Sequence, residues 1–277
     1  METMNFNSSK IALSVNIGQL APGSILQNRI ILITGGTSGI GLELAKKCVM
    51  QGAKVIISGT NTEKLAETQN DIGENCKTIV FNMLDISSFD RILGEATKFF
   101  GQINCLVNNA GISLHEGDFM NVTEENWNDQ FDVNLKGPYF LTQAWLRYYR
   151  ANKMKSGRIL MMASDTSGMG SSIPYGLSKA GIASLTRGLA KKLAVEGIRI
   201  NALAPGTTLT PMTNDFTHGE VCRDTTIGKR ALFPQEIAEI GIFLLSDLST
   251  AISGNIFGCS EANICFDNPY FEAETNP

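Results

Sequence analysis

Tyrosine and lysine placed four positions apart on a helix share one face, and an ammonium beside a phenol favours the phenolate. Such a pair can exchange a proton with an alcohol or carbonyl oxygen closer to neutral pH than free tyrosine, whose pKa is about 10. The sequence contains this spacing twice, as Tyr149 with Lys153 and as Tyr175 with Lys179. Spacing alone does not choose between them. Their surroundings differ: Tyr149 lies in YYRANKMKSG, a helix end before a strand, whereas Tyr175 follows the serine-bearing run ILMMAS and opens a segment leading to IRINALAPG. On that reading Tyr149 is a surface residue.

A second run able to do chemistry, TGGTSGIG, occupies 34–41. Glycines at Gly35, Gly39 and Gly41 permit a tight turn and let the backbone approach a pyrophosphate, whose charge meets free N–H groups at a helix N-terminus. The GxxxGxG spacing departs from the GxGxxG fingerprint, and a bare strand-to-helix connection would look similar. Its place raises its meaning, because it follows the first strand of a βαβ unit, where a phosphate-binding loop belongs.

The elements that must hold these groups alternate along the chain. Apolar, β-branched runs predict strands at 29–34, 54–58, 78–82, 105–108, 158–164, 198–203 and 255–258. Helical patterns predict helices near 40–50, 63–72, 89–100, 124–149, 175–195 and 234–245. Strand-helix alternation implies parallel strands with right-handed crossovers, so the fold class is α/β, a single Rossmann-type doubly wound domain with a seven-stranded parallel sheet. Residues 1–26 read as an N-terminal extension, an irregular tail with Pro22 and Gly23 near its end, and 27–277 as the dinucleotide-binding catalytic domain. The stretch after about 259 also reads as irregular.

Composition narrows the function classes. A net charge of −4 gives no basic field for a phosphate backbone, so nucleic acid is not an expected partner. No apolar run approaches the roughly 20 residues of a membrane span, and METMNFNSSK lacks a basic region followed by an apolar one, so a cytoplasmic protein is expected. Six cysteines without a CxxC pair read as reduced, buried thiols, with no metal site.

Four motifs stand in order at the ends of the predicted strands: the glycine turn, NNAG at 108–111, YGLSK at 175–179 and NALAPG at 201–206. Together they resemble the short-chain dehydrogenase/reductase family, in particular its 3-oxoacyl reductase-like members, across roughly 27–258. The resemblance implies bound NADP(H) or NAD(H), hydride transfer to or from a carbonyl or secondary alcohol, and a catalytic tetrad at Asn134, Ser164, Tyr175 and Lys179. In that assignment Tyr175 is the acid/base, Lys179 sets its pKa, Ser164 orients the substrate oxygen, and Asn134 holds a water linking Lys179 to solvent. It further implies cofactor contacts at Gly35, Thr37, Ser38, Gly39, Ile40, Gly41, Thr60, Asp85, Ile86, Asn108, Ala110, Gly111, Tyr175, Lys179, Pro205, Gly206, Thr208 and Thr210. Asp85 would bond the adenine amino group, although a helix cap is its other reading. Thr210 would lie near the nicotinamide carboxamide. His115 is a loop histidine left outside the site.

Two departures from the family pattern stand out. The segment from Ser164 to Tyr175 is short, so that Ser167, Ser171 and Ser172 compete with Ser164, and the ending after Gly258 lacks an acidic-Gly-Gly motif. A homodimer through the helices at 124–149 and 175–195, or a homotetramer, is implied. The end of the second strand reads ISGTN, with neither the acid that receives ribose hydroxyls nor a base for a 2′-phosphate. Thr60 and Asn61 can donate to a phosphate and no acid repels one, so NADP(H) is favoured over NAD(H). The alternatives are a non-redox epimerase or dehydratase of the same fold and a catalytically silent dinucleotide sensor.

Overall fold

Strand β3, Ile30–Thr34, is apolar on both faces: Leu32 enters one core, while Ile31 and Ile33 enter the other. A strand buried on both sides needs a layer of helices over each. In the computed structural model, which describes residues 2–7 and 12–261, those layers are present. After β3 come α1 (Gly39–Met50), β4 (Lys54–Gly59), α2 (Thr62–Ile72), β5 (Cys76–Val80), α3 (Phe89–Phe100) and β6 (Cys105–Asn108). Then follow α4 (Glu124–Phe131), α5 (Gly137–Ala151), β7 (Gly157–Met162), α6 (Pro174–Leu193), β8 (Ile198–Pro205), α7 (Asn214–Thr217), α8 (Pro234–Leu245) and β9 (Ile256–Cys259). The seven strands pair in parallel in the order β5-β4-β3-β6-β7-β8-β9. Apolar faces of α3, α5 and α6 build one core, through Phe89, Leu141, Trp145 and Ile182. Those of α1, α2 and α8 build the other, through Leu44, Leu65 and Ile242. The sheet is the expected seven-stranded, doubly wound one, and its order reverses between β3 and β6, where such folds open a crevice.

Three elements differ from the sequence reading. The third strand of the sheet ends at Val80 and not at Asn82, because the Asn82 side chain accepts from the Leu84 N–H (3.0 Å) and turns the chain. The helix expected over 124–149 is interrupted by a π-helical turn at Asp132–Lys136 that carries Asn134. The extension is not irregular throughout: β1 (Glu2–Asn7) and β2 (Ala12–Ile17) form an antiparallel hairpin. The chain then runs along the end of α1, where Gly23 N–H donates to the Met50 carbonyl (3.1 Å) and Leu26 N–H to the Gln51 carbonyl (3.0 Å). Leu26 itself is fully buried in the second core. The ending after 261 lies outside the described residues. Among the described residues the five cysteines are free thiols, no group of side chains could hold a metal ion, and no helix is long and apolar enough to cross a membrane.

Candidate active site

At the reversal point the carboxyl ends of β3, β4, β6, β7 and β8 surround a cleft of about 740 Å³. Its floor at one end is the glycine turn. Helix α1 starts at Gly39, and its N-cap Ser38 makes no side-chain cap bond, so the first-turn N–H groups are without a side-chain acceptor. Gly39 has φ +53, and a Cβ there would stand 3.1 Å from Thr210 Cγ2. A Cβ at Gly41 would lie 2.3 Å from the Gly35 carbonyl and 2.4 Å from Asn109 Nδ2, so only glycine permits the helix to press against its own turn. Asn109 locks that turn by donating to the carbonyls of Thr34 (2.9 Å) and Gly35 (3.0 Å). A backbone cradle with exposed N–H groups and no acid in the first turn fits the pyrophosphate of a dinucleotide.

The catalytic candidates meet on the opposite wall. Tyr175 and Lys179 occupy the first turns of α6, with the ammonium 5.7 Å from the phenol ring centre. Lys179 is 4% exposed, and its Nζ donates to the Met162 carbonyl (3.0 Å). Burial pulls its pKa down to about 8. The phenol of Tyr175 moves the other way: burial raises it above the ordinary tyrosine value, a Ser164 hydrogen bond lowers it, and the Asp165 charge raises it. Burial is the largest of these causes and sets the upward direction. Ser164, at the end of β7, donates from its Oγ to Asp165 Oδ1 (3.1 Å). Asn134 stands behind the wall, where its side chain accepts from the Ile112 N–H (2.8 Å) and donates to the Ile112 carbonyl (2.8 Å). A Cβ at Gly111 would lie 3.1 Å from Asn134 Oδ1 and 3.3 Å from Lys179 Nζ, so the π-turn brings this asparagine beside the lysine.

Most of the cofactor candidates line the cleft: Gly35, Thr37, Ser38, Gly39, Ile40, Thr60, Ala110, Gly111, Pro205, Gly206, Thr208 and Thr210. Five residues of the sequence reading do not: Gly41, Asn134, Asp85, Ile86 and Asn108. Gly41 and Asn134 act from behind, as described. Asp85 stands at the N-cap position of the short helix Ile86–Ser88 without a side-chain cap bond, is exposed, and accepts from the Ser87 hydroxyl (2.7 Å). Asn82, whose side chain accepts from the Leu84 N–H, and Met83 line the cleft. Asn108 is a core residue whose amide donates to Thr142 Oγ1 (3.0 Å). Sequence reading missed Asn82, Met83, Asn109, Asp165 and Lys64, the last in the first turn of α2. His115 also lines the cleft; its Nε2–H donates to the Met212 carbonyl (3.1 Å) and its ring meets Phe216 edge-on. It thus ties the loop after β6 to the segment leading into α7.

The short-chain dehydrogenase family model matches residues 29–221. This chain is a short-chain dehydrogenase. It is 33% identical to the 3-oxoacyl-(acyl-carrier-protein) reductase FabG of Thermotoga maritima over 242 residues, covering 84% of this chain and 96% of that one. It is 34% identical to the oxidoreductase UcpA of Salmonella typhimurium over 244 residues, covering 83% and 92%. The crystal structure of the 3-ketoacyl-(acyl-carrier-protein) reductase from Brucella melitensis complexed with NADH superposes with a TM-score of 0.79 at 29% identity, covering 86% of this chain and 99% of that one. The short-chain dehydrogenase is an NAD(P)-dependent oxidoreductase with a Rossmann-type sheet, and it resembles the 3-oxoacyl reductases of the family.

Proposed function

We propose that this enzyme transfers a hydride between NADP(H), in preference to NAD(H), and a carbonyl or secondary alcohol of a small molecule, with Tyr175 giving and taking the proton. The observation that carries the reading is the convergence of Tyr175, Ser164 and buried Lys179 on one wall of a cleft whose other end is a phosphate cradle. The cofactor, when bound, supplies or accepts the hydride. The turn 35–41 would hold its pyrophosphate, Asn82 and Met83 its base, and Thr208 with Thr210 its nicotinamide end. Tyr175, kept neutral by burial, is ready as an acid: it donates its proton to the oxygen of a carbonyl as that oxygen becomes an alkoxide. Lys179, poised near pH 8, can return a proton to the phenol, with Asn134 beside it. Ser164 steadies the reacting oxygen.

Lys64 supports the NADP(H) preference. No carboxylate lines the cleft at Ser58, Gly59, Thr60, Asn61 or Lys64, and the ammonium there offers a 2′-phosphate a counter-charge. Replacing Thr60 with Asp should move the preference toward NAD(H) by about tenfold, roughly 1.4 kcal/mol, as read by fluorescence titration of both cofactors. The activity itself is tested by offering 3-oxoacyl thioesters, ketones and keto-sugars with each cofactor and following the reduced-nicotinamide absorbance. Net oxidation of NADPH with one of these supports the reading. Substrate turnover without net cofactor change would make the protein an epimerase or dehydratase.

A further inference from the structure

Ser164 has one hydroxyl proton, and three acceptors compete for it: a substrate oxygen, the Tyr175 oxygen and Asp165. Asp165 immediately follows Ser164, is 9% exposed, and lines the cleft. Its Oδ1 accepts from Ser164 Oγ at 3.1 Å, and its Oδ2 lies 3.3 Å from where a Cβ on Gly206 would stand. The carboxylate is therefore wedged between the end of β7 and the turn after β8, and it already holds the serine proton. Of the ionisable side chains lining the cleft, only Lys179 and Asp165 flank Tyr175 from its own helix and from the end of β7. His115 stands on the loop after β6, Lys64 is at the far end by Thr60, and the lining residues from 205 to 216 include none.

We propose that Asp165 is a positioning residue: by competing with the phenol oxygen for the Ser164 hydroxyl proton it sets the pH range over which Tyr175 serves as an acid. Ser164 Oγ also accepts from the Thr166 N–H (3.3 Å), so its single proton is what the carboxylate and the phenolate compete for. When the phenol ionises, Ser164 must leave the carboxylate to donate to the phenolate, and that exchange costs one charge-assisted hydrogen bond. The negative charge of Asp165 acts in the same direction. The proposal rests on Tyr175 being the proton donor, but its test reads the phenol directly.

The experiment is a tyrosinate absorbance titration of the folded enzyme, with the Tyr175→Phe curve subtracted so that only Tyr175 remains. It is run for wild type, Asp165→Asn, Ser164→Ala and the double variant, with Asp165→Ala as the second variant should Asp165→Asn not fold. Asp165→Asn should lower the Tyr175 midpoint by about one pH unit, a tenfold change in proton affinity. Ser164→Ala should raise the midpoint more in the Asp165→Asn background than in wild type, because only there is the serine proton free for the phenolate. The pH profile of turnover should shift with the midpoint, and Asp165→Glu should restore most of it. An unmoved midpoint would overturn the proposal. So would a shift of the same size with and without Ser164, which would reduce Asp165 to a distant charge. If the midpoints move as expected while Tyr175→Phe still turns over, the proposed role of Tyr175 fails and the coupling of Asp165 to the phenol stands.

Discussion

Two Tyr-x-x-x-Lys pairs of identical spacing end in opposite environments. Tyr175 and Lys179 sit within α6, and both face the cleft. Tyr149 is instead a core residue, 2% exposed, packed against Trp145, with its hydroxyl donating to the Glu196 carbonyl (2.9 Å). Its partner Lys153 lies beyond the end of α5 at φ +51, exposed to solvent. The expectation that Tyr149 is a surface residue is thus wrong, although its exclusion from the cleft holds. A four-residue spacing creates a working pair only when the helix continues through both positions and the shared face borders a cavity.

The contrast can be sharpened first at the lysines. Lys179→Met should cut turnover by 10²-fold or more, the scale of a lost proton-transfer partner, whereas Lys153→Met should leave it unchanged. The same Lys179→Met change should stabilise the fold. The folded-state pKa of Lys179 is depressed to about 8 from 10.5, so its contribution to stability is present above about pH 10.5 and is lost as pH falls through 8. Below pH 8 wild type therefore carries a buried charge that methionine lacks. Thermal denaturation should show the variant more stable at pH 7, by on the order of 1–3 kcal/mol, with the gap closing toward pH 10. A variant less stable at pH 7 would break the account of the buried ammonium.

At the adenine end the comparison is between Asn82, which lines the cleft, and Asp85, which does not. Asn82→Ala should weaken cofactor binding by roughly tenfold, the worth of one hydrogen bond, while Asp85→Ala should stay within about twofold when both are titrated. The smallest effect is expected at Tyr149. Tyr149→Phe removes one buried hydrogen bond and should lower stability by about 1 kcal/mol in a denaturant melt, with turnover unchanged.

How far the site was legible in the sequence varies with the physics involved. Strands such as β3 were visible because burial on both faces leaves an uninterrupted apolar run, and the glycine turn because Gly41 has no room for a side chain. The place of Asp85 was not legible, because an acid after a strand looks alike whether it faces a cleft or solvent, and the local turn there is set by a side-chain bond two residues long at Asn82. The raised phenol of Tyr175 was hidden for a different reason. Its pKa depends on how deeply the phenol is buried and on a carboxylate, Asp165, ten residues earlier. Spacing carries no information about either. The hairpin at 2–17 lacked a turn dipeptide that would have announced it.

The central claim is that Tyr175 exchanges the proton with substrate and Tyr149 does not. It is tested most directly by comparing turnover of Tyr175→Phe and Tyr149→Phe on one validated carbonyl substrate, with cofactor binding measured in both. The account predicts that Tyr175→Phe still binds cofactor and loses 10²–10⁴-fold in turnover, while Tyr149→Phe turns over as wild type does. Full activity in Tyr175→Phe would contradict it, and the roles given to Ser164 and Asn134 would fall with it.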